Sequence, residues 1–154
     1  EQVCGVVLLS PSLQFRSTYN ERALSLLSLL SGTCVGEWLL TKLPSRVKSP
    51  RNPEVFALPR EALTHHSIGA GARVIAVRNA ALQRAHAVTA PVRVCSDPHD
   101  HLLAPEGVQR LVSLLHQVKV TQFPGGEHEL TIGTHHAEVA AEVVTFVREV
   151  SNAA

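Results

Sequence analysis

The chain has 154 residues, of which 45% are hydrophobic and 18% charged; that supplies one domain with a core and argues against disorder. A formal net charge of +1 with neutral histidines gives no electrostatic case for nucleic acid, and no apolar run reaches the length of a bilayer span. The three cysteines, Cys4, Cys34 and Cys95, are too few and too scattered for a disulfide framework, which fits buried thiols or a reducing compartment and predicts a cytoplasmic protein.

The chain opens directly on "VCGVVLLS" (residues 3–10), and it contains no methionine. The native N-terminus, with any targeting signal, is therefore expected to lie upstream. That opening run is short, β-branched and apolar on both faces, and Pro11 stops it. Such a run predicts a central strand of a parallel sheet. "YNERALSLLSLLSG" predicts a helix with Asn20 as N-cap and Gly32 as its stop. It is apolar almost all round, so it should be covered or line a greasy pocket. Pro44, Pro50, Pro53 and Pro59 make residues 41–66 a long irregular excursion. Helical spacing returns over 68–86, with Val74, Val77, Ala81 and Ala85 on one face.

The last third reads more simply. "APVRVCS" is a strand, and Pro105 opens the helix "PEGVQRLVSLLHQ", whose apolar stripe is Val108, Leu111, Val112 and Leu115. "VKVTQF" is a strand. Thr134 is the expected N-cap of a final helix carrying Val139, Val143, Phe146, Val147 and Val150. Strand, excursion, strand, helix, strand, helix spells an α/β fold with right-handed crossovers.

In such folds, functional groups collect on loops at the carboxyl ends of the strands. Two of these loops carry titratable residues: "SDPHDHLLAP" after one strand and "PGGEHEL" after the next. If the strands are neighbours, an aspartate and a histidine can meet above the sheet. The aspartate would then hold one imidazole nitrogen and leave the other as a base. The other reading is a loop aspartate that caps the next helix beside a solvated histidine. Nine histidines, among them His65, His66, His99, His101, His135 and His136, raise a metal site. Their spacing lacks the rigid frame that zinc requires, so no metal and no cofactor is expected.

"APVRVCSDPHDHLLAPEGVQRLVSLL" followed by "VKVTQFPGGEHEL" resembles the C-terminal part of an α/β-hydrolase. The family pattern there runs Pro-Val, a hydrophobic strand, Asp-x-x-x-x-Pro-x-Gly, a helix, a strand and Pro-Gly-x-x-His-Glu. The resemblance places Asp100 on the triad acid and His128 on the triad base, with Asp97 as the competing acid. "RNPEVFALPREALTHHSIGAGARV" is similar to the cap of monoacylglycerol lipases and lysophospholipase-like serine hydrolases. The implied organisation is a core strand over 1–11, a mostly helical cap over 12–87 and a C-terminal core over 88–154. Three departures from the pattern stand out: Asp97 where glycine is usual, Glu127 before the histidine in place of a small residue, and Arg60-Glu61-Ala62 where the cap has Asp-Pro.

The implied activity is hydrolysis of a carboxylic ester, with a small acyl ester or lipid as substrate and possible peripheral membrane contact through the cap. The nucleophile's Gly-x-Ser-x-Gly is not in this sequence, and the chain begins just after the place where it belongs. "GTCVG" (residues 32–36) is a decoy for it: Cys34, Asp100 and His128 follow the triad's order, so a Cys34-dependent hydrolase is one alternative. A nucleophile elbow needs a strand before it, whereas a leucine-rich helix precedes Cys34. The other alternative is a non-catalytic domain of the same fold. The chain alone is expected to be inactive, needing a partner that carries the missing N-terminal half or pairing with itself through residues 3–9.

Overall fold

The computed structural model describes residues 3–16, 18–30, 33–42, 68–125 and 128–153. Its elements in chain order are β1 (Val6–Leu9), α1 (Thr18–Ser28), α2 (Cys34–Lys42), α3 (Ile68–Arg84), β2 (Val92–Ser96), α4 (Pro105–Val112), β3 (Val118–Gln122) and α5 (His136–Ala153). The three strands form one parallel sheet in the order β1-β2-β3. Helices connect them, and a helical insertion separates β1 from β2. The fold is α/β, as its alternation of elements predicts.

The central strand of this sheet is β2, and every one of its five residues is buried. The expectation that the opening run is central is corrected here: β1 lies at one end of the described sheet, half-buried along Val6–Leu8 and exposed at Leu9. A run that is apolar on both faces reports what its side chains tolerate, not how many neighbours it has. Side chains of β2 alternate between two cores, as the two-residue period of a strand requires. Val92 and Val94 join Leu82, Ala85 and Leu111, with Val108 and Leu115 of the α4 side packed against them. Cys95 joins Phe123, Leu130 and Val139. Each such apolar side chain contributes about 1.5–3 kcal/mol on burial.

Arg93 breaks the apolar pattern. It is 3% exposed, yet its guanidinium meets the carboxylates of Glu142 and Glu149 on α5 and lies 5.2 Å from the centre of the Phe146 ring. The Thr121 hydroxyl also donates to Glu142, at 2.9 Å. A charge this deep persists only because it is paired.

Gly107, in the Pro-x-Gly part of the motif, has a packing reason. A Cβ there would lie 2.9 Å from the backbone nitrogen of Gln14 and 2.9 Å from the Cβ of Leu13. The segment after β1 therefore passes directly over the first turn of α4. It runs antiparallel to the loop ahead of that helix, with Ala104 N–H donating to Gln14 O (2.8 Å) and Arg16 N–H to Leu102 O (2.9 Å).

The chain divides into two compact units, residues 1–16 with 81–154, and residues 17–80. The second holds α1, α2 and most of α3. Asn20 lies inside α1 rather than capping it, and α1 ends at Ser28; Gly32 lies outside the described residues. The cap found here is Thr33, whose hydroxyl accepts the Gly36 N–H at 3.0 Å and donates to Leu30 O at 3.1 Å. Gly36 is obligatory in its own way, since a Cβ would fall 1.9 Å from Leu30 O. Cys34 and Gly36 of "GTCVG" thus belong to a helix start.

On α3 the buried residues are Ala72, Ile75 and Leu82, whereas Val74 is exposed and Val77 is 70% exposed. Of the predicted stripe, Ala85 is buried just past the helix, while Val74, Val77 and Ala81 are exposed, so along α3 itself the stripe is rotated. Alanines and valines on both sides of that helix leave its periodicity ambiguous. On α5, Val139 and Phe146 are buried, while Val147 is exposed by half and so falls outside the stripe. That helix begins at His136, two residues past Thr134. The irregular excursion expected over 41–66 falls outside the described residues, except that residues 41 and 42 end α2.

Candidate active site

The loop leaving β2 is shaped by its own aspartates. Asp97 accepts the His99 N–H at 2.7 Å, and Asp100 N–H donates to Asp97 O at 3.3 Å, closing a turn at the strand end. Asp100 then repeats the device, its Oδ1 accepting from Leu102 N–H (2.7 Å) and Leu103 N–H (2.9 Å). Those two bonds fix the carboxylate plane and leave Oδ2 for another donor.

That donor comes from the neighbouring strand. Phe123, at the end of β3, and Leu130 are both buried in the Cys95–Val139 cluster and anchor the histidine loop on either side. Between them His128 Nδ1–H donates to Asp100 Oδ2 at 2.9 Å. The carboxylate bonded to His128 is thus that of Asp100, not of Asp97. The Asp100 residue is 3% exposed and the His128 side chain 20%.

Electrostatics follow the geometry. Burial pushes the Asp100 carboxyl up, but the His128 bond and the Leu103 and Leu102 amides outweigh it, and its pKa lies below the ordinary value. The bond to Asp100 raises the His128 pKa, against burial. An imidazole held at Nδ1 presents Nε2 as its base nitrogen. Among the described residues, nothing else bonds the ring.

Two further residues take part that the sequence reading did not single out for this purpose. Arg16 holds the acid loop from outside, its guanidinium donating to the carbonyl of Asp100 and, at 3.2 Å, to that of Pro98. No sequence signal marks that arginine. Asp97 also accepts the Gly125 N–H at 2.9 Å; the signal available for it was an aspartate directly after a strand, where side-chain turns form.

Ser10, at the end of β1, has φ 40° and a buried hydroxyl without a hydrogen-bond partner among the described residues. It lines a void of about 20 Å³ together with Ser96, Asp97, Asp100 and Gln122. The larger depression of this unit, about 1210 Å³ and open, lies at the amino ends of the strands, among Val3, Thr89, Arg93, Gln117 and Glu149. It is away from the Asp–His pair.

Cys34 is exposed at the start of α2, and the element before it is a helix, not a strand. Cys95 is buried, and burial pushes its thiol pKa up. His135 bonds Glu138 and Pro124 O, and His136 bonds Gly133 O. His65 and His66 lie outside the described residues. Among the described residues, no group of three or more His, Cys, Asp or Glu side chains is placed to hold a metal ion, and no helix is long and apolar enough to cross a membrane.

No protein-family model matches the chain. Solved structures do. A monoacylglycerol lipase from Paleococcus ferrophilus superposes with a TM-score of 0.72 at 24% identity, over 98% of this chain and 60% of that one. A structure from the study of the metagenome-derived lipolytic enzymes LipS and LipT gives 0.71 at 13%, over 96% and 56%. A soluble variant of monoglyceride lipase from Saccharomyces cerevisiae gives 0.63 at 12%, over 94% and 55%. The chain thus spans between 55% and 60% of the length of these structures. Parallel strands, helical insertion and superposition agree: the chain has an α/β-hydrolase fold related to that of several lipases and esterases.

Proposed function

We propose that this chain is the acid- and base-bearing part of a serine hydrolase acting on carboxylic esters with an apolar acyl chain. The observation that carries the reading is the Asp100–His128 hydrogen bond at the carboxyl ends of adjacent parallel strands. In the intact enzyme, a serine oxygen supplied from outside these residues attacks the ester carbonyl as His128 Nε2 takes its proton. The carbonyl re-forms when the alcohol leaves with that proton. A water then attacks the acyl-enzyme, again losing its proton to His128, and releases the acid and the serine. Asp100 holds the ring and stabilises the imidazolium formed in each step.

The insertion between β1 and β2, residues 12–87, serves as the cap in this reading. Its support is the apolar surface of α1, the turn after it and α2, where Leu26, Leu29, Val35 and Trp38 are exposed. That surface suits an acyl chain or a peripheral lipid contact. The nucleophile's strand is proposed to pair with the outer edge of β1.

The test begins with the sequence upstream of Glu1 in the natural gene. A Gly-x-Ser-x-Gly there, with labelling of its serine by a fluorophosphonate that His128→Ala abolishes, is the expected result. An upstream sequence without that motif, or no labelling of the full-length protein, supports a non-catalytic domain instead. The 154-residue chain by itself should not turn over short p-nitrophenyl esters. Turnover that vanishes in His128→Ala would place a nucleophile within these residues.

A further inference from the structure

The parallel ladder between β2 and β3 continues beyond the strands themselves. Ser96 and Gln122 are its last paired residues, and Phe123 N–H then donates to Ser96 O at 3.0 Å. In a parallel ladder, every second N–H of one strand finds the next carbonyl along its neighbour. The next N–H is that of Gly125, and the carbonyl due to receive it is that of Pro98. That carbonyl is turned to Arg16, 3.2 Å away. The Asp97 side chain takes its place: Oδ2 accepts Gly125 N–H at 2.9 Å while Oδ1 accepts His99 N–H at 2.7 Å.

We infer that Asp97 is a positioning residue, a side-chain rung that ties the histidine loop to the acid loop and so sets the Asp100–His128 bond. Asp97 is 5% exposed while Gly125 lies at the surface, so the tie is half-buried, with a charged acceptor that holds an N–H more strongly than a neutral one. It sits three residues before the acid and three residues before the base at once: Asp97 to Asp100 along one loop, Gly125 to His128 along the other. Without it, the described backbone hydrogen bonds between the histidine loop and the β2 side would end at Phe123. The catalytic meaning of this role rests on the proposed function, but the geometry does not.

The experiment is NMR on the full chain, which reads position without requiring turnover. In the unsubstituted protein, the Gly125 amide should exchange slowly, by about ten- to a hundredfold against an unbonded loop amide, the factor that matches a hydrogen bond to a charged acceptor. An unprotected Gly125 amide overturns the proposal, and that measurement needs no variant. Asp97→Asn and Asp97→Ala both delete the charge, but only Asp97→Ala deletes every acceptor. The His128 titration midpoint should therefore fall further, and its Nδ1–H signal broaden more, in Asp97→Ala than in Asp97→Asn. Equal midpoints in the two variants would mean that Asp97 acts through charge alone and would also overturn the proposal. The expected NMR signatures together with no ester hydrolysis by the unsubstituted intact enzyme would instead count against the proposed function and leave the tie standing.

Discussion

Asp100 Oδ2 and His128 Nδ1 lie 2.9 Å apart although 28 residues separate them, because their loops leave neighbouring parallel strands. This one contact shifts both groups toward their charged forms, and the shifts have opposite consequences with pH. The His128 pKa is raised, so its contribution to stability is complete below the unfolded value and is lost as pH rises through the folded one. The Asp100 pKa is lowered, so its contribution is present above the unfolded value and is lost as pH falls through the folded one. With ordinary values of about 3.9 and 6.5, the pair stabilises most between about pH 4 and 6.5. Denaturant unfolding of the wild-type chain and of His128→Asn should differ most near the middle of that window, and progressively less as pH rises through the folded His128 pKa. A pH-independent difference would show that the pair is not charged in the folded protein.

In the proposed hydrolase, the same shift would set the acid limb of activity. A base must be unprotonated to accept the serine proton, so kcat/KM should rise with pH through a midpoint above about 6.5. Asp100→Asn should move that midpoint down and reduce kcat, because the ring loses the partner that selects its tautomer.

The buried charge cluster between β2 and α5 makes a graded prediction. Arg93→Ala leaves Glu142 without its strongest partner and opens a hole beside Phe146, and should cost about 3 kcal/mol. Glu142→Gln should cost about 1–2 kcal/mol, since Arg93 keeps one charged partner. Glu149 is exposed by half, and Glu149→Gln should cost no more than about 0.5 kcal/mol. Chemical denaturation of the three variants checks the order; equal effects of the two glutamates would contradict the burial difference.

Ser10 holds a conformation that suits glycine, with φ 40° and a buried hydroxyl that finds no hydrogen-bond partner among the described residues. Ser10→Gly removes about 1–2 kcal/mol of left-handed strain and gives back about 0.5–1 kcal/mol in chain entropy. A net stabilisation of about 0.5 kcal/mol or more should appear as a small rise in Tm. Ser10→Val should lower Tm, since a β-branched side chain tolerates that backbone least.

Reading the sequence located β2, β3, α4 and α5 because each has one dominant period: valines at every second position of a short run, or apolar residues at helical spacing. The loops that meet above the sheet were legible for the same reason, since a residue just past a strand has a predictable height. Where two patterns coexisted, the reading failed. The α3 helix carries small apolar residues on both sides, so Val74 and Val77 fitted a stripe as well as Ala72 and Ile75 did. The place of β1 in the sheet depends on which strands flank it, and a strand's own residues do not record that. Asp97 was read as a rival acid or a departure from pattern, because the amide it serves lies 28 residues away.

The β2–β3 register, Val92 with Val118 through Ser96 with Gln122, brings both loops off the sheet at one level. The reach from Asp100 to His128 is therefore measured from that ladder and not from the 21 residues of helix and turn that join the strands. Lengthening the α4–β3 connection should leave the two side chains facing each other, since added residues bulge outward where nothing is gauged against them. A single residue inserted between Ser96 and Asp100, or between Gln122 and His128, would displace one partner by about 3.3 Å, a full strand step. The connection is thus open to insertion, whereas those two short spans behave as rulers.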